Sequence, residues 1–237
     1  MEQTSRTHHG QRPTNGIVAI YKPKGPTSHD VIDELRRITG LRTIGHAGTL
    51  DPLASGVLVV GIGRAATKEL SRIAAKDKEY VATVTLGAES STDDAEGEKR
   101  RIPVRRKPSP NAVRRALKGF CGSIAQIPPS FSAVKVRGQA AYALARAGRP
   151  PELGPRMVEV KSIQLLDYRW PRLTLEIVTG PGTYVRAIAR DLGRALGTGG
   201  YLSDLERTRV GDFSKARALT LEEFSAAYDV RFQPSGP

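Results

Sequence analysis

Apolar residues recur along this chain with two different periods, and the switches between them mark the expected elements. Residues 16–22 (GIVAIYK), 56–63 (GVLVVGIG) and 78–87 (KEYVATVTLG) alternate or run apolar over strand-like lengths. Between 28 and 40, SHDVIDELRRITG places Val31, Leu35 and Ile38 on one helical face, with Ser28 near its start and Gly40 beyond its end. ATKELSRIAA repeats the helical spacing between two strands, and SPNAVRRALKG opens with the serine and proline that start a helix. In the second half GQAAYALARAG reads as helix, while MVEVKSIQLLDY and RLTLEIVTG read as strands. TYVRAIARDLGRALG reads as an amphipathic helix with Val185, Ile188, Ala189, Leu192 and Leu196 on its apolar stripe. The alternation is too irregular for a doubly wound sheet. It predicts an α+β fold, with a large, mostly antiparallel mixed sheet flanked by helices.

Composition changes the picture in two ways. A chain of 237 residues suits one large domain, expected over 16–228, between a polar tail at 1–15 and a frayed end at 229–237. With 37 Lys plus Arg against 24 Asp plus Glu, the net charge of +13 favours a polyanionic partner, either nucleic acid or an anionic membrane surface. No apolar run is long enough to cross a bilayer, and MEQTSRTHHGQRPTNG has no apolar signal core, so a cytoplasmic protein is expected.

Common cofactor and metal chemistry finds little support. The single cysteine, Cys121, is expected as a buried, inert thiol, and His8, His9, His29 and His46 are too scattered for a metal site. GIGRAAT lacks the third glycine of a dinucleotide fingerprint, and there is no GK[ST], so Gly61 and Gly63 are expected to end a strand. The acidic cluster Glu89, Asp93, Asp94, Glu96 and Glu98 does not have the spacing of a calcium loop and reads as solvated. Neither cofactor nor metal is expected.

The most unusual stretch is GHAGTLDPLASGVL, residues 45–58, in which Asp51 sits among glycines and leucines. Pro52 biases Asp51 toward an extended backbone, and Gly45, Gly48 and Gly56 let the loop turn sharply or approach a ligand. On its own an Asx-type turn explains such an aspartate. The 183–197 helix adds a second clue, because Arg186 falls in its first turn, where the helix dipole opposes a cation and a nearby anion would offset the cost. An arginine fork facing a carboxylate favours the charged form of both. Arg190 and Arg194 read as a solvated face in preference to a phosphate-contacting one.

GHAGTLDPLASGVL resembles the signature of the TruB family of pseudouridine synthases. KPKGPTSHDV is similar to the family's early lysine-proline-glycine motif, and KEYVATVTLG to its tyrosine-bearing strand. FCGSIAQIPPSFSAVKVRGQAAYALAR is similar to its substrate-embracing insertion, here about 120–155, and GTYVRAIARDLG and YLSDLERTRVGDFS complete the order over roughly 16–225. The resemblance implies a cofactor-free, monomeric enzyme with the pseudouridine synthase fold that isomerises uridine 55 in the T arm of tRNA. Such an enzyme draws its target base out of the stack.

The same resemblance implies roles for particular residues. Asp51 matches the essential aspartate, acting either as nucleophile at C1′ or as base at C2′. Tyr80 matches the tyrosine that stacks on the base and serves as a candidate for proton transfer at C5, and Arg186 the arginine that pairs with the aspartate. Tyr184 and Leu205 match uracil-contacting residues, His46 one that borders the space of the flipped base, and Lys22 a lysine supporting the loops. Lys135 and Arg137, near Phe131, match positions that grip the RNA backbone.

Two departures stand out. Ser91 takes a position where relatives often carry an aspartate, and the chain beyond Tyr228 is too short for the PUA-type RNA-binding domain many relatives have. The catalytic domain is therefore expected to hold tRNA unaided, through arginines including Arg105, Arg106, Arg114 and Arg115, with steep salt dependence. Rival readings are a non-catalytic RNA-binding or chaperone protein, an RNA-guided relative resembling dyskerin and, more distantly, a metal-dependent nuclease.

Overall fold

The computed structural model describes residues 16–136 and 138–229. The expected tail at 1–15 and the chain end from 230 lie outside the described residues. In chain order the elements begin with β1 (Gly16–Lys22), α1 (Ser28–Thr39), β2 (Ile44–His46), β3 (Ala54–Ile62), α2 (Arg64–Ala74) and β4 (Lys78–Leu86). Then come β5 (Ala88–Ser90), β6 (Lys99–Arg101), α3 (Pro110–Lys118), β7 (Gly122–Gln126), β8 (Lys135–Val136), β9 (Gln139–Ala140) and α4 (Ala141–Arg146). The last are β10 (Arg156–Arg169), β11 (Arg172–Thr179), α5 (Val185–Ala195), β12 (Gly200–Val210), β13 (Phe213–Ser214) and α6 (Leu221–Asp229).

Nine strands form one sheet with the central order β1-β3-β12-β4-β11-β10-β7, while β2 pairs with β3 and β13 with β12. Every pairing is antiparallel except β12 with β3, so the sheet is mixed and mostly antiparallel. Helices flank it. Residues Ile20, Leu58, Val60 and Ile62 bury one face of β1 and β3 against α1 and α6, while Ala19, Val57 and Val59 bury the other against Leu70 of α2. The larger cluster packs α3 and α5 on β4, β10, β11 and β12, with Tyr80, Ala82, Val113, Leu117, Val185, Leu192 and Leu205 among its members.

Local chemistry explains the helix ends. Thr27, not Ser28, is the N-cap of α1, in a reciprocal box with Asp30, and Gly40 closes it in the left-handed region at φ 70°. Ser109 and Pro110 start α3 as their order predicts. One expectation needs correction. The helix expected over 138–148 forms only at Ala141–Arg146, because Gln139 and Ala140 pair with β8 instead. Strand β3 ends at Ile62, between Gly61 and Gly63, and a Cβ at Gly61 would come within 2.9 Å of the Ala66 carbonyl as α2 packs close.

Strand β12 carried no hydrophobic signal strong enough to be read as a strand, yet it occupies the middle of the sheet. Its pairing with β4 is shifted between Leu202 and Asp204 and again between Arg207 and Arg209, and these bulges break the period-2 pattern. Cys121 is exposed at the end of α3, contrary to the buried thiol expected, because the helix ends there and only its sulfur leans back on the Leu117 carbonyl.

Candidate active site

The loop between β2 and β3 is tied down residue by residue. Ala47 N donates to Val59 O at 2.8 Å, and the buried Ser28 hydroxyl both donates to Leu50 O (2.9 Å) and accepts from Leu50 N (2.8 Å). Ala54 N donates to Asp51 O at 3.0 Å, and Gly25 N to Pro52 O at 2.9 Å. From behind, the fully buried Arg207 donates to the carbonyls of Val57 (2.8 Å), Gly48 (3.0 Å) and Thr49 (3.4 Å). Gly56 permits this crossing. Its φ is +109°, and a Cβ would lie 2.2 Å from Arg207 O.

Asp51 faces α5. Arg186 Nε lies 2.9 Å from Asp51 Oδ2, with the arginine side chain 7% exposed and the aspartate 38% exposed. The remaining guanidinium nitrogens reach Asp94 Oδ2 (3.5 Å), Thr92 O (3.3 Å) and Phe131 O (2.9 Å). These oxygens offset the unfavourable position of a cation in the first turn of α5. Asp94 is itself buried, its carboxylate accepting from the Thr92 hydroxyl and from Glu96 N at 3.0 Å. Burial, reinforced by the negative charges of Asp94 and Asp51, pushes the Glu96 carboxyl up.

The acidic segment is therefore only in part the solvated loop its composition suggested: Glu96 and Glu98 are exposed, but Asp94 is buried and Asp93 is drawn inward. Asp93, with φ 63°, pairs with Arg190 at 2.8 Å, and Arg190 also binds Asp191 and donates to Ile127 O. Arg190 is buried, which corrects its reading as part of a solvated face, whereas Arg194 is exposed as that reading has it. Carboxylates arriving from another loop supply what helical spacing cannot show. Burial raises the Asp93 carboxyl, opposed by Arg190.

The other candidate residues lie on several elements. Tyr80 lies in β4 opposite Ile177 and Arg207, and is buried. Leu205 is registered between Ala54 and Ala82, in the same apolar cluster as Tyr80, Leu50 and Val185. Tyr184 precedes α5, its backbone N and O bound at 2.8 and 3.2 Å by the amide of the buried Gln126. His46 packs edge-to-face on His29 at 6.0 Å, and its buried Nδ1 has no hydrogen-bond partner among the described residues. Burial, with His29 and Arg207 nearby, lowers its pKa and favours the neutral ring.

Lys22 is fully buried, not solvent-facing as a strand-end lysine would be, and its Nζ donates to Pro23 O (2.9 Å) and Pro26 O (2.7 Å). Burial brings its pKa down to about 8, with Asp51 the largest opposing influence. Lys135 is exposed on the short β8–β9 hairpin. Arg137 lies outside the described residues. Arg207, Ser28, Gln126 and Asp94 escaped the sequence reading. Only Asp94 left a trace, as part of an acidic cluster, for the others act on backbone groups far along the chain.

Comparison with known proteins places this arrangement. The fold matches a chain in a crystal structure of a Cbf5-Nop10-Gar1 complex with a TM-score of 0.71 and 30% identity, covering 92% of this chain and 55% of that one. An archaeal box H/ACA sRNP Nop10-Cbf5 complex gives 0.68 and 28%, with the same coverage. This chain thus spans about half the length of those two. The model of the TruB family pseudouridylate synthase N-terminal domain matches residues 36–185, and that of the tRNA pseudouridylate synthase B C-terminal domain matches 186–233. Fold and site together define a pseudouridine synthase, an isomerase. Sequences called tRNA pseudouridine synthase B from Thermobifida fusca and Mycobacteroides abscessus are 45% and 48% identical over 228 and 215 residues. The alignments cover 91% and 89% of this chain, and 76% and 72% of those proteins. This chain belongs to the TruB family of pseudouridine synthases. The boundary between the two family models falls in the first turn of α5, and the second contributes β12, the strand between β3 and β4.

Proposed function

We propose that this chain acts as a monomer in the cytoplasm, converting uridine 55 in the T loop of tRNA to pseudouridine, with residues 16–228 as its catalytic domain. One observation carries the reading: Asp51, on a loop with fixed backbone, faces a buried arginine at 2.9 Å while its own side chain remains reachable. Isomerisation breaks the bond between C1′ and N1, turns the uracil and rejoins it through C5. Asp51 attacks C1′ or takes a proton from C2′; either route needs one carboxylate held in a set geometry.

In this reading the target nucleotide leaves its stack and enters between the Asp51 loop and β4. Tyr80 stacks on the uracil and stands nearest the proton lost from C5, and Leu205 and Tyr184 bound the pocket. The neutral His46 borders the space the base vacates. The insertion, about 120–155, closes over the RNA, with Lys135 and Arg137 on its backbone. Its entry is joined to the catalytic arginine through Phe131 O.

The test is tritium release from a tRNA transcript labelled at C5 of uridine, comparing wild type with Asp51→Asn. Release by wild type and none by the variant, with tRNA binding retained, is the expected result. Equal release by both removes Asp51 from the mechanism, and label lost from another position removes the T-loop assignment.

A further inference from the structure

The charge of this protein is concentrated in one stretch. Residues 99–151 contain 13 Lys and Arg and no Asp or Glu, whereas the rest of the chain holds 24 of each sign. The net charge of +13 is therefore the charge of that stretch. Part of it lies in the insertion, but six cations, Arg105, Arg106, Lys107, Arg114, Arg115 and Lys118, belong to α3 and the loop before it. All six are exposed, and none has an ion pair among the described residues. Like charges so close together repel one another, and no carboxylate among the described residues is paired with them.

They sit on a fixed scaffold. Val113 and Leu117 anchor α3 in the same apolar cluster as Tyr80, Leu205 and Val185, so the patch and the candidate active site share one core. Ser109 caps the helix, and the Tyr168 hydroxyl holds the preceding loop through Pro108 O at 2.7 Å. Between loop, α3 and the end of α5 lies a cleft of about 540 Å³, with Arg106, Lys107, Ser109, Arg115, Ala195 and Leu196 among its lining residues. Arg186 lies in the first turn of α5 and Ala195 closes the helix, so the rise between them places the cleft roughly 14 Å from the Asp51 partner.

We infer that this cleft and the outer face of α3 form a second RNA-binding surface, gripping the phosphate backbone of a helical part of the same RNA whose uridine reaches Asp51. The inference rests on the proposed function for the identity of the RNA. Exposed Lys and Arg with no carboxylate partner among the described residues fit phosphate oxygens, the commonest target of such side chains on a nucleic acid. A concave surface with no large apolar anchor fits a nucleic-acid backbone better than a membrane.

The test compares two triple variants of equal charge change in the full-length chain. Arg106→Gln/Lys107→Gln/Arg115→Gln removes the cleft cations, and Arg64→Gln/Lys68→Gln/Arg72→Gln removes exposed ones on α2. Affinity for an unmodified tRNA transcript is measured against salt concentration, with tritium release at saturating tRNA alongside. The cleft variant is expected to have a log K against log salt slope shallower by roughly 2, a KM raised at least about tenfold and an unchanged kcat, while the α2 variant behaves as wild type. Equal losses in both triples would reduce the effect to net charge and overturn the inference, as would no loss in either. Preferential loss of binding to phosphatidylserine vesicles in place of tRNA would assign the patch to a membrane and overturn it too. A wild type that releases no tritium sinks the proposed activity instead, and the binding arms still decide the surface.

Discussion

Replacing Arg207 with methionine tests whether the Asp51 loop is held from behind. Methionine retains much of the side chain's bulk but removes a guanidinium that donates to Val57 O at 2.8 Å, Gly48 O at 3.0 Å and Thr49 O at 3.4 Å. A hydrogen bond from a charged donor contributes about 1.5–3 kcal/mol. The contact at 3.4 Å is long enough to be weak, so the two shorter bonds together supply about 3–6 kcal/mol. Against this stands the burial of a cation that forms no carboxylate ion pair among the described residues, a penalty of several kcal/mol that methionine relieves. The two effects largely cancel in global stability. At about 2–4 °C per kcal/mol for a chain of this size, the Tm is expected to fall by no more than about 5 °C. The loop feels only the loss. Gly48 and Thr49 lie just before Asp51, and a displacement on the order of 1 Å lowers turnover about a hundredfold. Single-turnover tritium release from tRNA, run beside thermal unfolding, measures both. A folded Arg207→Met protein that turns over at the wild-type rate refutes this role for Arg207, and so does a fall in Tm large enough to account for the lost activity.

Three further outcomes follow from the same geometry. Gly56→Ala forces a Cβ to within 2.2 Å of Arg207 O at a φ of +109°, so a loss of at least about 3 kcal/mol is expected in chemical denaturation; near wild-type stability would contradict the close β3–β12 crossing. Asp94→Asn leaves the buried Arg186 with Asp51 as its remaining carboxylate, and should lower stability by about 1–3 kcal/mol and turnover by at least about tenfold; unchanged kinetics would show that Arg186 is oriented without it. Lys22 has a folded pKa of about 8 against 10.5 for the free side chain, so between those values the folded protein binds fewer protons than the unfolded chain, and this group makes stability rise with pH. The slope it adds is at most about 1.4 kcal/mol per pH unit, largest between those two values and vanishing outside them, so the gain is absent below 8 and complete above 10.5. Denaturation at pH 8 and 9.5 should show a smaller rise for Lys22→Met than for wild type, and identical rises would rule out a depressed Lys22.

Locally encoded features were legible in the chain. Helix α3 begins where Ser109 and Pro110 put it, and α1 ends at Gly40, because caps and turns depend on residues within a few positions of one another. The apolar strands β1, β3, β4 and β11 announced themselves through side-chain period. Asp51 stood out because a carboxylate among glycines and leucines is an anomaly at short range, and the family resemblance supplied Arg186 as its partner. Charged residues were misread where composition alone had to decide: Asp94 and Arg190 looked like solvated groups and are buried.

The amino-acid order by itself determined most of the helices and the apolar strands, where several begin and end, and that one stretch is strongly cationic. Tertiary structure decided what the charges face. The Asp51–Arg186 pair, the Arg207 bonds to Val57, Gly48 and Thr49, and the Gln126 clamp on Tyr184 join residues far apart in sequence. No periodicity encodes such contacts, since they arise only when β12 inserts between β3 and β4 and α5 packs across the sheet. A buried polar group is stable only with its partners in place, so the partners, and not the residue type, fix whether it is core or surface.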